Sequence, residues 1–360
     1  MKILMLGAGS SVHVVRWANA FVERGHELHL ASQHGKAPGL DPKVSMHDLP
    51  HLNGSGYLLN GNKVKEIVRK VAPDVVNAHY ASGYGTLSNA IRNVPVVLNV
   101  WGSDVFEFPD KSFFHRRLLL RNLRNATLLV STSKFMRERT TSLLGTDQRR
   151  IEVIPFGVDT DRFKPTHKER SDNTLTIGTV KGLARKYGID LLLKAFAIII
   201  QQKPDADLKL KIAGGGPLER ELKRYAEQLG IIDKVEFTGP VPHAQVPGIL
   251  NSFDIYVALS RADSESFGVA VIEASACGIP VVVANVGGLP EVVRNGITGT
   301  IVPKEDPQAA AKAIKELMRS EVLRQKQGNA GREFVMKEFS WSDCVDKMIA
   351  VLESSMTSKR

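Results

Sequence analysis

The stretch "DIYVALSRADSESFGVAVIEASACGIPVVVAN", residues 254–285, carries the pattern that decides the fold. An apolar strand is followed by a polar loop, a short helix and a second apolar strand. We predict that the helix begins near Phe267 or Gly268 and ends at Ala276. Gly278 would close it, because glycine readily takes the left-handed conformation in which many helices end.

The same alternation of apolar runs and amphipathic stretches continues in both directions along the chain. Alternation at this spacing predicts an α/β fold whose parallel sheets are covered by helices on both faces. It occurs in two halves, so we predict two Rossmann-like domains facing each other across a cleft, with ligands bound beyond the carboxyl ends of the strands. The predicted parts are an N-terminal domain at 1–160, a polar linker at 161–173, a C-terminal domain at 174–340 and a last helix at 341–360.

The composition is that of a globular protein. Of the 360 residues, 43% are hydrophobic and 24% are charged, and no apolar run approaches the roughly 18–20 residues that span a bilayer. Cys277 and Cys344 are predicted to be buried thiols of a cytoplasmic protein, and the histidines are too scattered to predict a metal site. The net charge of +10 favours an anionic partner. Nucleic acid, an anionic membrane and a phosphorylated small molecule are the three classes of partner that fit, and charge alone does not choose among them.

Two glutamates, Glu265 and Glu273, bracket the start of the predicted helix. The backbone N–H groups of Phe267, Gly268 and Val269 would lie at the positive end of its dipole, which suits a diphosphate. Glu273 would lie roughly 9 Å further along the helix, about the distance from a diphosphate to the hydroxyls of an attached ribose. Glu265 would lie on the other side, near the hydroxyls of a sugar. For an isolated pair, a solvated loop glutamate and a helix-surface glutamate would be the simpler interpretation.

Longer stretches of the chain carry a family resemblance. "SESFGVAVIEASACGIPVVVANVGGLPEVVRNGITGTIVP" (264–303) closely resembles the Glu-x7-Glu region of family-4 retaining glycosyltransferases, which have the GT-B fold. "IEVIPFGVDTDRF" (151–163) is similar to the linker signature of that family, and residues 210–260 are similar to its C-terminal domain element by element. The resemblance covers most of the chain, although the N-terminal half resembles the family more loosely.

The resemblance implies a nucleoside-diphosphate-sugar donor, bound by the C-terminal domain without a cofactor or a protein-bound metal. It implies that Glu273 holds the ribose and that Glu265 contacts the donor sugar. It also implies that the last helix returns to the N-terminal domain. In such enzymes the leaving phosphate helps to deprotonate the acceptor on the same face of the sugar, so no protein nucleophile is needed.

The diphosphate that leaves in such a reaction needs positive charge nearby. The family usually supplies an arginine after the glycine that ends a strand, where this chain has Thr179. We therefore assign the role to Lys181 and Lys186, with Arg185 as a third candidate. A solvated basic loop is the alternative.

A glycine-containing loop, "GAGSS" at residues 7–11, follows the first strand and opens a helix. We predict that Gly9 and Ser10 approach a phosphate or a sugar of the donor. A dinucleotide fingerprint would need glycine where Val12 stands and an acidic residue about 20 residues further on, so a nicotinamide dehydrogenase is poorly supported. A tight turn without a ligand is the alternative.

The N-terminal domain of the family often has a His-Gly-x-Asp motif, and this chain has "WGSD" at 101–104. Trp101 stands in place of the histidine and cannot transfer a proton, although it can stack on a sugar. Asp104 is the best N-terminal candidate for acceptor binding or acid–base catalysis, with a capping or structural role as the alternative. His79, at the end of the preceding strand, is the second candidate base, with a packed core histidine as the alternative.

A basic helix is predicted in "KSFFHRRLLLRNLRN", residues 111–125, with Arg117, Arg121 and Arg124 on one face. Such a face suits an anionic membrane surface, and the family often acts on lipid-linked acceptors at the inner leaflet. An ordinary amphipathic helix is the alternative. We expect a cytoplasmic protein that associates peripherally with the inner face of the membrane.

Together these features predict a metal-independent retaining glycosyltransferase. It would move a sugar from a nucleoside-diphosphate-sugar to a hydroxyl of a glycan or lipid-linked acceptor, in surface polysaccharide, lipid-linked glycan or glycolipid assembly. A non-transferring nucleotide-sugar enzyme such as an epimerase, and a member that only binds its ligand, are alternatives. A nucleic-acid binder is suggested only by the net charge and lacks interleaved aromatic and basic residues, so no nucleic-acid partner is expected.

Overall fold

The computed structural model describes residues 1–52, 54–147, 149–166 and 174–357. These residues form two compact units. The first unit holds Met1–Phe156 together with the segment from Ser342 onward, and the second holds Gly157–Trp341. Of the linker predicted at 161–173, residues 167–173 lie outside the described residues.

The first unit is built on a parallel sheet that has seven strands in the described part of the chain. The strands are β1 (Lys2–Leu6), β2 (Glu27–Ser32), β3 (Ser45–Asp48), β4 (Val75–His79), β5 (Val96–Val100), β6 (Leu128–Ser131) and β7 (Ile151–Val153). Their order is β3-β2-β1-β4-β5-β6-β7, and each neighbouring pair is parallel. The helices are α1 (Val12–Glu23), α2 (Gly56–Leu59), α3 (Gly61–Val71), α4 (Tyr84–Ser88), α5 (Ser103–Phe106), α6 (Phe113–Asn125) and α7 (Lys134–Leu144).

The central strands of this sheet are apolar because helices cover both faces. β1 reads KILML and β5 reads VVLNV, with β4 between them in the sheet. Leu4, Val76 and Leu98 have no exposed surface and belong to one hydrophobic core. Burial of these strands fixes their carboxyl ends side by side, where the predicted N-terminal site residues follow.

The second unit is built on a parallel sheet that has six strands within the described residues. The strands are β8 (Leu175–Val180), β9 (Leu208–Ala213), β10 (Val235–Gly239), β11 (Ile255–Ala258), β12 (Val281–Ala284) and β13 (Gly299–Val302). Their order is β10-β9-β8-β11-β12-β13, which places β8 beside β11. The helices are α8 (Ile189–Gln202), α9 (Glu219–Gln228), α10 (Val246–Leu250), α11 (Val269–Ala276), α12 (Pro307–Arg319) and α13 (Glu321–Glu338).

The last helix, α14 (Trp341–Thr357), belongs to the first unit from Ser342 onward. Its Asp346 forms an ion pair with Arg24 of the segment after α1, with 2.9 Å between Nη2 and Oδ1. Leu352 and Cys344 are buried. In the described part of the chain, none of the helices combines the length and the apolar character that a membrane span requires.

The stretch that predicted the fold forms a strand, a helix and a strand, as expected. β11 and β12 pair in parallel, with Tyr256 opposite Val281, and α11 connects them. The helix lies within two residues of its predicted bounds, and Gly278 follows it with a φ of 74°. The prediction of an α/β fold with two Rossmann-like parallel sheets is therefore confirmed.

Candidate active site

The turn before α11 is shaped by Gly268, which caps the helix with a φ of 98°. A Cβ at this position would lie 2.7 Å from Cδ2 of Leu289, so glycine alone fits without strain. The Phe267 side chain is buried, and its ring packs edge-on against Phe339 at 5.4 Å between centroids. The loop is thus held in place, and the N–H groups that begin at Val269 lie at the positive end of the helix.

Glu265 is enclosed in the second unit, with 11% of its side chain exposed. Its Oε2 lies 2.7 Å from Nζ of Lys181 and accepts a hydrogen bond of 3.0 Å from Ser260. Burial alone would raise the pKa of Glu265, but the charge of Lys181 and these hydrogen bonds hold it below its usual value. Glu265 is therefore a carboxylate that accepts hydrogen bonds rather than a proton donor at neutral pH.

Lys181 is equally enclosed and carries a positive charge. Burial would lower its pKa, but the Glu265 carboxylate raises the pKa to about 12. Its Nζ lies 5.0 Å from the ring centroid of Tyr187, and Nζ of Lys186 lies 5.2 Å from the same centroid. Lys181, Lys186 and Glu265 thus lie close together beside the loop that opens α11.

The structure separates the other basic candidate from this cluster. Arg185 is exposed and lines a groove together with Lys194 of α8 and Tyr225 of α9. Its backbone carbonyl accepts a hydrogen bond from Arg261. Thr179, where the resemblance leads one to expect an arginine, is 1% exposed within β8. A side chain at position 179 starts inside the sheet, whereas Lys181 and Lys186 follow the strand.

Glu273 lies further along α11 and is 5% exposed. Its Oε1 is 3.1 Å from Nε2 of His243, which precedes α10 in a short 3-10 helix. The His243 ring packs near Phe163, with 5.8 Å between centroids. The carboxylate is therefore held by the His243 imidazole.

Gly9 and Ser10 belong to the first unit, whereas Lys181 belongs to the second. The Gly9 N–H donates a hydrogen bond of 2.9 Å to Oγ of Ser32, at the end of the neighbouring strand. A Cβ at Gly9 would lie 2.4 Å from the carbonyl oxygen of Gly35. Close packing against the segment after β2 therefore explains why position 9 is a glycine. Ser10 is exposed.

Asp104 is wholly buried and holds two strand ends together. Its carboxylate accepts hydrogen bonds from the N–H groups of Ala81, after β4, and of Trp101 and Gly102, after β5. Burial raises its pKa, and these backbone hydrogen bonds oppose the rise. With its oxygens engaged by the backbone of two loops, Asp104 has the geometry of the structural alternative.

His79 lies at the end of β4 with 1% of its surface exposed. Burial lowers its pKa to about 3, so the imidazole is neutral and a weak base. Its ring meets Trp101 edge-on at 5.0 Å between centroids, and Trp101 also packs on Phe156 at 5.3 Å. The rings of His79 and Phe156 therefore hold Trp101 in place. Trp101 is only half-buried, so part of its side chain is exposed.

Among the described residues, the cysteines and the other metal-ligating side chains are not grouped into a metal centre. Cys277 and Cys344 are both free and buried, and burial raises the pKa of each thiol to about 12. Within residues 1–52, 54–147, 149–166 and 174–357, no three or more histidine, cysteine, aspartate or glutamate side chains are grouped so that they could hold a metal ion.

Two family models match the chain in turn. The model described as "Glycosyl transferases group 1" matches residues 159–334, and the model described as "Glycosyl transferase 4-like" matches residues 2–133. The chain belongs to the family-4 glycosyltransferases. These enzymes transfer glycosyl groups, so the chain is a transferase.

Relatives of this glycosyltransferase match it over much of its length. An uncharacterized glycosyltransferase of Methanocaldococcus jannaschii is 27% identical over 359 residues, 96% of each chain. The GDP-mannose-dependent alpha-(1-6)-phosphatidylinositol monomannoside mannosyltransferase of Mycolicibacterium smegmatis is 33% identical over 240 residues, 62% of each chain. Among solved structures, HepE of Anabaena in complex with UDP has a TM-score of 0.83 at 20% identity, with 98% of this chain and 100% of that one covered. This likeness shows the GT-B fold.

Two side chains of the glycosyltransferase were not singled out as site residues from the sequence. His243 lies between two prolines in "PVPHAQVP", and its pairing with Glu273 spans 30 residues. Tyr187 was visible beside Lys186, but nothing in the sequence shows that Lys181 meets the same ring. The only local indication of the contact between Tyr187 and the lysines was the run of basic and aromatic residues at 181–187.

Proposed function

We propose that this glycosyltransferase uses a nucleoside-diphosphate-sugar and transfers the sugar with retention of its anomeric configuration. The start of α11 carries the proposal. Lys181, Lys186 and the first N–H groups of the helix would meet the diphosphate, with Glu265 before them and Glu273 behind them. The complex of HepE with UDP and the GDP-mannose dependence in the name of the mycobacterial relative support a nucleoside diphosphate.

The lysines would act on the leaving group. As the bond between the anomeric carbon and the phosphate oxygen breaks, negative charge grows on that oxygen. Fixed ammonium groups and helix N–H groups stabilise such charge best when they are already in place and partly shielded from water. Lys181 keeps its charge beside Glu265, so we assign to Lys181 and Lys186 the charge compensation that a metal supplies in other transferases, and infer a metal-independent reaction.

Glu265 would hold the donor sugar. Because its pKa is lowered, it accepts hydrogen bonds from sugar hydroxyls and does not donate a proton. In a same-face transfer, the acceptor hydroxyl forms the new bond to the anomeric carbon and gives its proton to the departing phosphate oxygen. His79, with a pKa of about 3, is a poor base for that proton, which favours the phosphate.

We assign the acceptor to residues of the first unit. Trp101 offers a fixed aromatic ring that suits the apolar face of a sugar or cyclitol. Asp104 would position the loop that carries this ring rather than react. The phosphatidylinositol monomannoside in the name of the mycobacterial relative favours a glycolipid or lipid-linked acceptor, as in glycolipid or surface polysaccharide assembly.

We further propose that α6 contacts the cytoplasmic face of an anionic membrane. Arg117, Arg121 and Arg124 are exposed on this helix, while Leu119 and Leu123 on its other side are buried in the core. At the start of the helix, the side chains Phe113 and Phe114 are 70% and 79% exposed. Exposed aromatic rings beside arginines suit the boundary between acyl chains and anionic headgroups.

The test is turnover with UDP-, GDP- and ADP-sugars and a set of glycolipid and polyprenyl-phosphate-linked acceptors. We expect one donor to be consumed with formation of a glycoside, whose NMR coupling constants show the same anomeric configuration as the donor. Inversion would contradict retention. Conversion of the donor into an epimer without transfer would favour the epimerase alternative.

A further inference from the structure

Tyr187 lies close to both lysines, and its position is constrained by close packing. It ends the 3-10 turn Arg185–Tyr187, and Gly188 follows with a φ of 63°. A Cβ at Gly188 would lie 1.9 Å from the carbonyl oxygen of Leu259, so the turn packs against the loop after β11. A Cβ at Gly182 would lie 3.3 Å from Cε2 of Tyr187, so the ring packs on the turn that follows Lys181. The backbone of the turn and the ring that it carries are therefore each in close contact with neighbouring backbone.

Two ammonium groups lie close to this ring. Lys181 and Lys186 place their Nζ atoms 5.0 and 5.2 Å from its centroid, within the range in which an aromatic ring attracts a cation. Glu265 pairs with Lys181 at 2.7 Å and takes up one of the three N–H donors of that ammonium group. Two cations near each other repel, and the negative face of a ring offsets part of this repulsion without occupying an N–H donor.

We propose that Tyr187 is a positioning residue, whose ring gathers the ammonium groups of Lys181 and Lys186 so that both meet one diphosphate. This inference rests on the proposed function, because the diphosphate is that of the nucleotide donor. Tyr187 acts through its ring face, and its hydroxyl is not required. Loss of the ring removes this contact from both ammonium groups.

The test compares Tyr187→Leu with Tyr187→Phe in the full chain, titrated with UDP, GDP and ADP by calorimetry. For the nucleoside diphosphate that the wild type binds, Tyr187→Leu should weaken affinity about tenfold, equivalent to about 1.4 kcal/mol. Tyr187→Phe should restore affinity to within about twofold, because the ring face is kept. In turnover, the donor KM should rise in Tyr187→Leu while the acceptor KM is unchanged.

A matched control is Tyr225→Leu, which removes another tyrosine ring that lies 5.8 Å from a lysine, Lys194. This variant should keep wild-type affinity. In a double-mutant cycle, Tyr187→Leu and Lys186→Met should together weaken binding less than the product of their separate effects, because they remove one interaction. Thermal melting of each variant shows whether it is folded.

Several outcomes would overturn the inference. They are wild-type affinity in folded Tyr187→Leu, an equal loss in Tyr187→Phe, strictly multiplicative effects in the cycle, or a wild type that binds none of the three diphosphates. If the wild type transfers sugar and Tyr187→Leu binds normally, the inference fails and the proposed function stands. If the wild type binds a diphosphate but transfers no sugar, the proposed function fails, and the effect of Tyr187→Leu on binding still decides the inference.

Discussion

At the residue scale, the ion pair of Lys181 and Glu265 joins two side chains that are about nine-tenths buried. A buried pair of this kind is costly to break from one side, since the remaining charge has neither water nor a partner. The sequence predicted both residues as ligand contacts. It did not predict that they neutralise each other, because they are 84 residues apart.

Replacing Lys181 by methionine should destabilise the second unit by about 3–5 kcal/mol at pH 7. In the wild type, the lowered pKa of Glu265 favours folding above about pH 4.3, its unfolded value, and this contribution disappears as the pH falls through the lower folded pKa. In the variant, burial raises the pKa of Glu265, so the loss should be smaller at pH 4 than at pH 7.

Urea unfolding of both proteins at pH 4 and pH 7 measures this difference. Lys63→Met is the control, because its ion pair with Glu66 is exposed and contributes little. An equal loss of stability at both pH values would show that the charge of Lys181 does not affect the pKa of Glu265.

Glu273→Gln should weaken binding of the donor nucleotide. The carboxylate beside His243 is assigned to the ribose hydroxyls, and hydrogen bonds to a charged group contribute about 1.5–3 kcal/mol, roughly 10–100-fold in affinity. The donor KM measures the effect, with Glu316→Gln on the exposed face of α12 as a control. A donor KM within twofold of wild type would remove Glu273 from the ribose site.

At the element scale, α11 and α6 differ in how much the sequence reveals. The bounds of α11 follow from the glycines that lie next to it in the chain, so the local sequence pattern was sufficient to predict them. The arginine face of α6 was equally visible, but exposure of Phe113 and Phe114 depends on what packs around the helix. Periodicity identifies a basic face without showing which apolar residues remain uncovered.

Gly268→Ala should impair donor binding through the backbone. A positive φ costs a residue with a side chain about 1–3 kcal/mol. The new Cβ, which lies at the start of α11, would also come too close to the Leu289 side chain. Gly230→Ala is the control, with a φ of 68° and no atom within 4 Å of the new Cβ. Thermal melting should show that both variants are destabilised, whereas only Gly268→Ala should raise the donor KM. A raised donor KM in both would mean that strain alone is responsible.

Removal of three arginines from α6 should weaken binding to anionic vesicles. Each contributes about 1 kcal/mol near such a surface, so changing Arg117, Arg121 and Arg124 to glutamine should weaken partitioning roughly 100-fold. Sedimentation with phosphatidylserine and phosphatidylcholine vesicles measures this.

The control for this experiment changes Lys65, Arg69 and Lys70 of α3, which are also exposed, to glutamine. It removes the same charge from the same unit and should leave binding intact. Equal losses in the two triple variants would mean that net charge rather than α6 attracts the membrane.

At the scale of the whole molecule, a ligand that binds only the folded chain stabilises it. At 100 times its dissociation constant, the correct nucleoside diphosphate should add about 2.7 kcal/mol to the free energy of unfolding of the unit that binds it. Differential scanning fluorimetry with UDP, GDP and ADP should therefore show a higher melting temperature with one of them. The corresponding monophosphates should produce a smaller shift. Equal shifts with mono- and diphosphates would contradict a site built for a diphosphate.

The sequence by itself determined the α/β class, the two parallel sheets, the bounds of α11 and the residue types at its start. These features are local, because hydrophobic period, glycine conformation and charge can be read within one element. The family resemblance then assigned the glutamates and lysines to a nucleotide-sugar.

Only the tertiary structure decided which of these groups meet. β8 lies beside β11, so the loops that follow them bring Lys181 to Glu265, and β4 lies beside β5, so Asp104 reaches Ala81. Burial then set the charge of each group and gave His79 a pKa of about 3. The order of strands in a sheet and the loss of water around a side chain are properties of the packed chain, and no stretch of sequence contains them.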